Sequence, residues 1–390
     1  MSVTVDDSQF ARGTYSDRRR YLWLTQPFLP LLPSIGCLLA LWTEWSAFFW
    51  LAAFAWFGLT ALLDELLPND DNNPPISILD DIEEDKYYER VLVASVPSYL
   101  VNFTFVCWFI ANHEMSVWSY IGCAVSMGIV SGLALAVGHE FGHKTSYRER
   151  WIGKFLLGIA GVGQFLTAHL RRHHVDVATP KDIASSRMGE TLYHFGACRQ
   201  QPGFFRESWK IEKERLARKG LSVWNLKNET LQQYLVTVTL FASLTIAFGW
   251  IVLPMLLLQM YVCWWYLSLI EYTQHYGLLR DQKDDGTYAL PTERHSWNTN
   301  MIVSNNLLLN FVRHSPHHLR ATRWYHALRD HDSAPQLPFC YPIMFMASMV
   351  PPLFWWLMNK RVMAWANGDL DKIHIYEPAR ERLERTYQGN

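Results

Sequence analysis

His139-Glu140-Phe141-Gly142-His143 closes an apolar run that begins at Val117, and His169-Leu170-Arg171-Arg172-His173-His174 closes a second, mostly apolar segment. The histidines fall at i, i+4 in the first group and at i, i+4, i+5 in the second. On helices each group therefore presents imidazoles from one face. A third cluster, His314-Ser315-Pro316-His317-His318, lies far downstream, and His275 alone follows another apolar run. Histidine is the commonest neutral metal ligand, and no other residue type in the chain recurs with such regular spacing.

The surroundings of these groups set the fold class. The chain has 390 residues, half of them apolar, with 18 Trp and 21 Phe, and its 35 basic residues nearly balance 36 acidic ones. Such a balance argues against a nucleic-acid partner or a polybasic membrane anchor. The near-zero mean hydropathy hides a segregated sequence. Lys and Arg are absent from Tyr21 to Asp85, from Val91 to His143 and from Asn228 to Leu279. Each gap holds two apolar stretches of about 20 residues, the length that crosses a bilayer. The expected fold is an all-α integral membrane protein with six transmembrane helices, at 22–43, 46–66, 91–112, 117–138, 231–250 and 252–272. A cytoplasmic cap of helices and loops, residues 139–230 and 273–390, carries the histidine boxes, and the whole chain reads as one domain.

The spans pair as hairpins whose short turns, at Thr43-Glu44-Trp45, Ala111 to Met115 and Gly249 to Pro254, carry no Lys or Arg. The basic residues lie in Arg18-Arg19-Arg20, in the Asp70–Arg90 linker, in 139–230 and after residue 279. By the positive-inside rule those parts, both termini included, are cytoplasmic. Every histidine cluster then falls on that side, an agreement that does not depend on how the spans were drawn. It favours the membrane fold over a soluble all-α bundle. The polar, charged first 20 residues do not read as a cleavable signal peptide. Ile152 to Ala168, rich in Gly and holding Lys154, reads as a half-buried or interfacial helix. Phe339 to Met358 is long enough to span but holds Pro342, Pro351 and Pro352, and a basic tail follows; it is expected to be membrane-associated and non-spanning.

The six cysteines are scattered and form no Cys-x-x-Cys pair. A disulfide framework, a zinc ribbon and an iron–sulfur centre are therefore not expected, nor is any flavin or haem. The clusters supply nine histidines: His139, His143, His169, His173, His174, His275, His314, His317 and His318. One zinc takes about four ligands, so nine clustered imidazoles suit two metals with four or five ligands each. The remaining six, His113, His194, His295, His326, His331 and His374, are single and read as structural.

Several motifs then carry a resemblance. His139 to Lys144, His173-His174-Val175-Asp176-Val177-Ala178-Thr179-Pro180 running on to Ser185 through Glu190, His275-Tyr276-Gly277-Leu278, His295-Ser296-Trp297-Asn298, Arg313 to His318 and Asn72-Asn73-Pro74-Pro75 closely resemble the membrane alkane monooxygenases. More distantly, the three boxes are similar to those of membrane fatty-acid desaturases and hydroxylases. The resemblance implies a six-helix membrane bundle in the bacterial inner membrane and a centre of two iron ions held by histidines. It also implies O2 as co-substrate and terminal hydroxylation of medium-chain n-alkanes. Electrons would come from rubredoxin, itself reduced by an NADH-dependent reductase. One departure is visible. The family often has Asn-Tyr-x-Glu-His-Tyr-Gly where this chain has Glu271-Tyr272-Thr273-Gln274-His275-Tyr276-Gly277.

The chemistry agrees with that resemblance. Breaking a terminal C–H bond needs a redox metal, which zinc is not. Glu140, Asp176, Asp182 and Glu190 are candidates to orient ligand imidazoles, or else to pair with Arg171, Arg172 or Lys181. Arg171, Arg172, Lys181, Arg199 and Arg206 are candidate docking residues for the electron donor. Trp56 is the candidate floor of a substrate channel, against ordinary packing of an aromatic in a membrane helix. Three rivals remain: a desaturase or hydroxylase of another apolar substrate, a membrane zinc protease built on His139-Glu140-x-x-His143, and a metal transporter. The protease leaves six clustered histidines unused, and a transporter's metal path would run through the spans.

Overall fold

The structure is a computed structural model and describes residues 15–387. The first 14 residues, on which the signal-peptide expectation and part of the N-terminal tail fall, lie outside it. Among the described residues the architecture is helical, with only isolated β-bridges. Six helices are long and apolar enough to cross a membrane: Leu22–Thr43, Ser46–Leu66, Lys86–Asn112, Val117–Gly142, Glu229–Phe248 and Val252–His275.

Their ends follow local capping chemistry more than hydropathy. Asp85 accepts the amide of Tyr87, Ser116 that of Ser119 and Asn228 that of Leu231, each satisfying a donor that the first helical turn leaves open. The third span thus begins at Lys86 rather than at 91, and the fifth runs over Glu229–Phe248 rather than 231–250. The fourth and sixth continue past their apolar stretches to Gly142 and His275. Backbone hydrogen bonding does not stop where the apolar residues stop, and these extra turns carry His139 and His275. The first two spans are irregular. Pro30 and Pro33 lack amide donors, and Leu22–Thr25 and Leu29–Leu31 wind as tighter 3₁₀ turns. Phe54–Thr60 is a π-helical turn that leaves Phe54 exposed and Trp56 buried.

One expectation needs correcting. Residues 152–168 are not one helix: Tyr147–Ala160 ends at Gly161, whose φ of +81° suits a residue without a Cβ, and Gly163–Ala168 follows. The segment is also more deeply buried than an interfacial helix, because Lys154 is neutralised by Glu229 at 3.3 Å and bonded to Gln232 at 3.1 Å. The proline-rich stretch near the C-terminus forms Tyr341–Ser348 and Pro351–Trp365, bent by 120° and so not one straight span.

The fourth span is the axis, buried along most of its length. Small residues let its neighbours approach, the usual basis of helix packing where no water is expelled. Gly132 faces Tyr266 of the sixth span, and Gly138 and Gly142 cross Gly153 of Tyr147–Ala160. A Cβ on Gly153 would lie 2.7 Å from both the Gly138 carbonyl oxygen and the Gly142 amide nitrogen. Gly153→Val should therefore destabilise the protein by about 1–3 kcal/mol, seen as a lower melting temperature in detergent. Gly58→Ala, with open space around its Cβ, should change it by no more than about 0.5 kcal/mol.

Candidate metal centre

Four elements bring the nine clustered histidines together. His139 and His143 occupy the end of the fourth span, and His275 is the last residue of the sixth. His314, His317 and His318 ride on the short helix His314–Leu319. The second box departs from the expectation of a single face. Gly163–Ala168 continues into a π-helical turn, His169–His173. Its i→i+5 bonding brings His174 over His169, while His173 points elsewhere.

The result is two groups. His139, His143, His169, His174 and His317 form one, and His173, His275, His314 and His318 the other. In the first, the Nε2 atoms of His139 and His169 are 2.9 Å apart, His139 and His143 3.0 Å, His169 and His174 3.0 Å, and His174 and His317 3.2 Å. In the second, His314 and His318 approach to 2.9 Å through Nε2. Burial and the crowding of imidazoles hold His143, His169, His174, His314, His317 and His318 well below their ordinary pKa, so they are neutral. Neutral rings converging at about 3 Å suit a shared cation, since a metal–nitrogen bond is about 2.0–2.1 Å. The Nε2 atoms of His173 and His275 are buried without any hydrogen-bond partner, which supports the same fit.

The rings are held from behind. His173 donates from Nδ1 to Asp182 at 2.9 Å, and Asp182 also accepts from Ser185 Oγ at 2.6 Å. Burial alone would raise the Asp182 carboxyl, but His173 and these hydrogen bonds bring it down to about 2. His173 responds in turn: burial opposes its charge, yet Asp182 and Glu271 lift it to about 9. A metal at Nε2 would take the place of that proton. The carbonyl of His295 accepts from His275 Nδ1 at 3.2 Å, turning His275 Nε2 inward. Trp297 braces the same turn by donating from Nε1 to the Tyr276 carbonyl, and Asn298 Oδ1 accepts the Ser315 amide. The third box is tied to the linker after the second span: fully buried Arg313 donates to Asp70 at 2.9 Å and to the Asn72 carbonyl at 3.1 Å. Arg19 reaches the same Asp70 oxygen. Phe165 and Phe311 pack on His139.

The other candidate residues divide sharply. Only Asp182, of the four carboxylates, meets a clustered histidine by hydrogen bond. Glu140 turns to Lys144 at 2.8 Å and accepts the Tyr325 amide, so the general base of a zinc protease is not in place. Asp176 pairs with Arg172, and Glu190 with Arg187, Arg199 and His194. Arg171 and Arg172 are half-buried and paired with Glu212 and Glu207, and Arg199 lies largely buried behind Glu190. Lys181 and Arg206 are exposed. Trp56 is 2% exposed and packs on Tyr266 and Phe345, so it is not a lipid-facing residue. The six single histidines join neither group; His326, for example, stacks on Tyr88 and bonds the Ile82 carbonyl.

The sequence reading assigned no role to two features, although the second of them stands in the departure from the family motif noted above. One is the backbone carbonyl of His295, which no side-chain pattern reveals. The other is Glu271, fully buried beside both groups. Its helical spacing of four from His275 was a usable signal.

Comparison with known proteins places this geometry. The family model described as fatty acid desaturase matches residues 115–348, which contain all nine clustered histidines. The chain is 42% identical over 373 residues to alkane 1-monooxygenase 1 of Alcanivorax borkumensis, covering 96% of this chain and 92% of that protein. It is 42% identical to alkane 1-monooxygenase of Pseudomonas putida, with 96% and 93% covered. It is 43% identical to alkane 1-monooxygenase of Ectopseudomonas oleovorans, with 94% and 91% covered.

Asp182→Asn removes the charge that fixes His173. It should weaken metal binding by about 10–100-fold in chelator competition. Glu190→Gln, whose carboxylate touches no clustered histidine, should leave metal affinity at the parent value.

Proposed function

Because the chain belongs to the alkane 1-monooxygenase family, we propose that it hydroxylates the terminal carbon of medium-chain n-alkanes with O2 at two iron ions, using electrons from rubredoxin. It is a multi-pass membrane oxidoreductase. The observation that carries the proposal is the division of nine histidines into groups of five and four beside an apolar cavity. The five would hold one iron and the four the other, and the irons would supply the oxygen activation that no side chain can.

The protein's own residues do the rest. Leu135, Ala136, Phe165, Leu267, Ile270, Leu308 and Phe311 line a narrow apolar cavity of about 10 Å³ next to His139, which an alkane would enter by parting these side chains. Such walls exclude water and grip an alkane by burial alone, since the substrate offers no polar handle. Trp56 packs on Tyr266, the neighbour of Leu267, and is the proposed floor of the channel. Asp182 and the His295 carbonyl hold their rings in the tautomer that leaves Nε2 free. In the proposed orientation both termini and the metal centre face the cytoplasm across the inner membrane. The charge distribution along the chain supports this. Five of the six cysteines are buried and none lies in a Cys-x-x-Cys motif, which favours a separate electron donor. Rubredoxin would meet exposed Lys181 and Arg206, with Arg171 and Arg172 at the edge of that surface.

The test is reconstitution. Purified, iron-loaded protein with octane, O2, rubredoxin, its reductase and NADH should yield 1-octanol, and NADH without rubredoxin should yield none. Metal analysis should find about two irons per chain, where a protease would hold one zinc. An alkene, or hydroxylation only of another apolar substrate, would turn the assignment to the desaturases or other hydroxylases.

Chain length supplies a second expectation. Each buried methylene is worth about 0.8 kcal/mol, roughly fourfold in binding. Trp56→Ser should therefore shift the preference from octane toward dodecane and longer chains. Competition among alkanes of different length measures it, and an unchanged product profile with activity retained would remove Trp56 as the floor.

A further inference from the structure

Glu271 lies one helical turn before His275, within the sixth span, and is 1% exposed. It is the one carboxylate in the wall of the apolar cavity described above. Its Oε2 is buried without a hydrogen-bond partner, 3.7 Å from His173 Nε2, the nitrogen that faces the four-histidine group. Its Oε1 is 3.9 Å from His169 Nδ1, on a ring of the five-histidine group, and that nitrogen is also unpartnered. One side chain thus stands between the two groups, with an atom toward each.

A carboxylate placed in an apolar wall with an unmatched oxygen is strongly unfavourable unless a cation meets it. No lysine or arginine forms an ion pair with Glu271 among the described residues; its charged-group contacts are the two ligand histidines. The two groups also differ by one imidazole, and Oε2 approaches the smaller one through His173, with which Glu271 and His169 converge. Iron accepts imidazole and carboxylate donors together. Four neutral imidazoles leave the full charge of an ion facing the apolar cavity, and an anionic donor reduces it.

We propose that Glu271 Oε2 is the fifth donor of the four-histidine site. Oε1 faces the His169 ring, so a single carboxylate links the two sites. The sites are then unequal: one has only imidazole donors, and the other includes an anion that favours its ion's more oxidised state. Gln in place of Glu271 keeps the shape and removes the charge.

The proposal rests on the reading that both groups hold iron, and the experiment separates the two. Full-length parent and Glu271→Gln are loaded with isotope-enriched iron in detergent. Mössbauer spectra and the rate of iron release to a chelator are then recorded. The parent should show two components of equal area. In Glu271→Gln one component should change and one equivalent should leave at least about tenfold faster, with the other as in the parent. Glu271→Asp, which keeps the donor but shortens its reach, should move the same component and loosen the same equivalent by less; it is the readout if Glu271→Gln does not fold. Two equivalents with parental spectra and release rates in whichever variant folds would overturn the role of Glu271 and leave the two-iron reading standing. A parent that does not bind two irons would overturn that reading, and the assignment of Glu271 with it.

Discussion

Imidazoles whose ring nitrogens meet cannot all satisfy one another. A neutral ring has one N–H and one lone pair, and at His275 the proton is engaged behind the ring by the His295 carbonyl; His173, held by Asp182, is the exception that keeps a second proton until a metal takes its place. What faces the interior is lone pair against lone pair, in a site where burial keeps most of the rings uncharged. That arrangement is unfavourable in itself, and a buried cation reverses its sign. The structure around it is best understood as whatever is needed to hold nine such rings in place.

Holding them falls to two kinds of contact. The first is close helix packing through glycine, where Gly153 crosses Gly138 and Gly142 and brings the second box against the end of the fourth span. The second is the Asp70 cluster. Arg313 immediately precedes His314 and is fully buried, and its guanidinium is met by Asp70, Asn300, Asn72 and Leu328. A charge at such depth is tolerated only when every donor is directed. It therefore fixes the third box relative to the linker that leaves the second span. The Asn72-Asn73-Pro74-Pro75 motif gains a physical reason: it presents a carbonyl to Arg313, the residue next to His314.

Much of this was legible in the sequence, and the reasons differ from element to element. The six spans were readable because lipid imposes long uncharged runs, and the nine histidines because helices repeat at fixed intervals. Their division into five and four was not readable in detail. It depends on the π-helical turn His169–His173, which regroups His174 with His169, and helical spacing alone put all three on one face. The roles of Glu140 and Glu190 were also beyond reach. Each lies close in sequence to a box, but a carboxylate's partner is set by packing across the fold, here Lys144 for one and Arg187 with Arg199 for the other. Trp56 shows the converse. Its burial depends on another π-helical turn, Phe54–Thr60, so an even α-helical wheel would misplace it.

The same geometry explains why polar and apolar demands do not compete at the centre. The groups that orient imidazoles, Asp182, Ser185 and the His295 carbonyl, all approach from the loops that follow the helices. The cavity wall is drawn from the helices and from the loop ahead of His314, through Leu135, Ala136, Phe165, Leu267, Ile270, Leu308 and Phe311. Leu309 and Asn310, in the left-handed region with φ of 54° and 53°, turn the chain just before Phe311. Asn310 pins that turn by donating to the Tyr325 carbonyl and accepting from Arg19. Two residues without glycine's freedom hold this conformation only because buried polar contacts over-determine it. The strain has a visible result: Phe311 is set against His139 and His314, an apolar face pressed onto the clustered rings. Water is thereby kept from one side of the centre, while the polar loops hold the rings from the other.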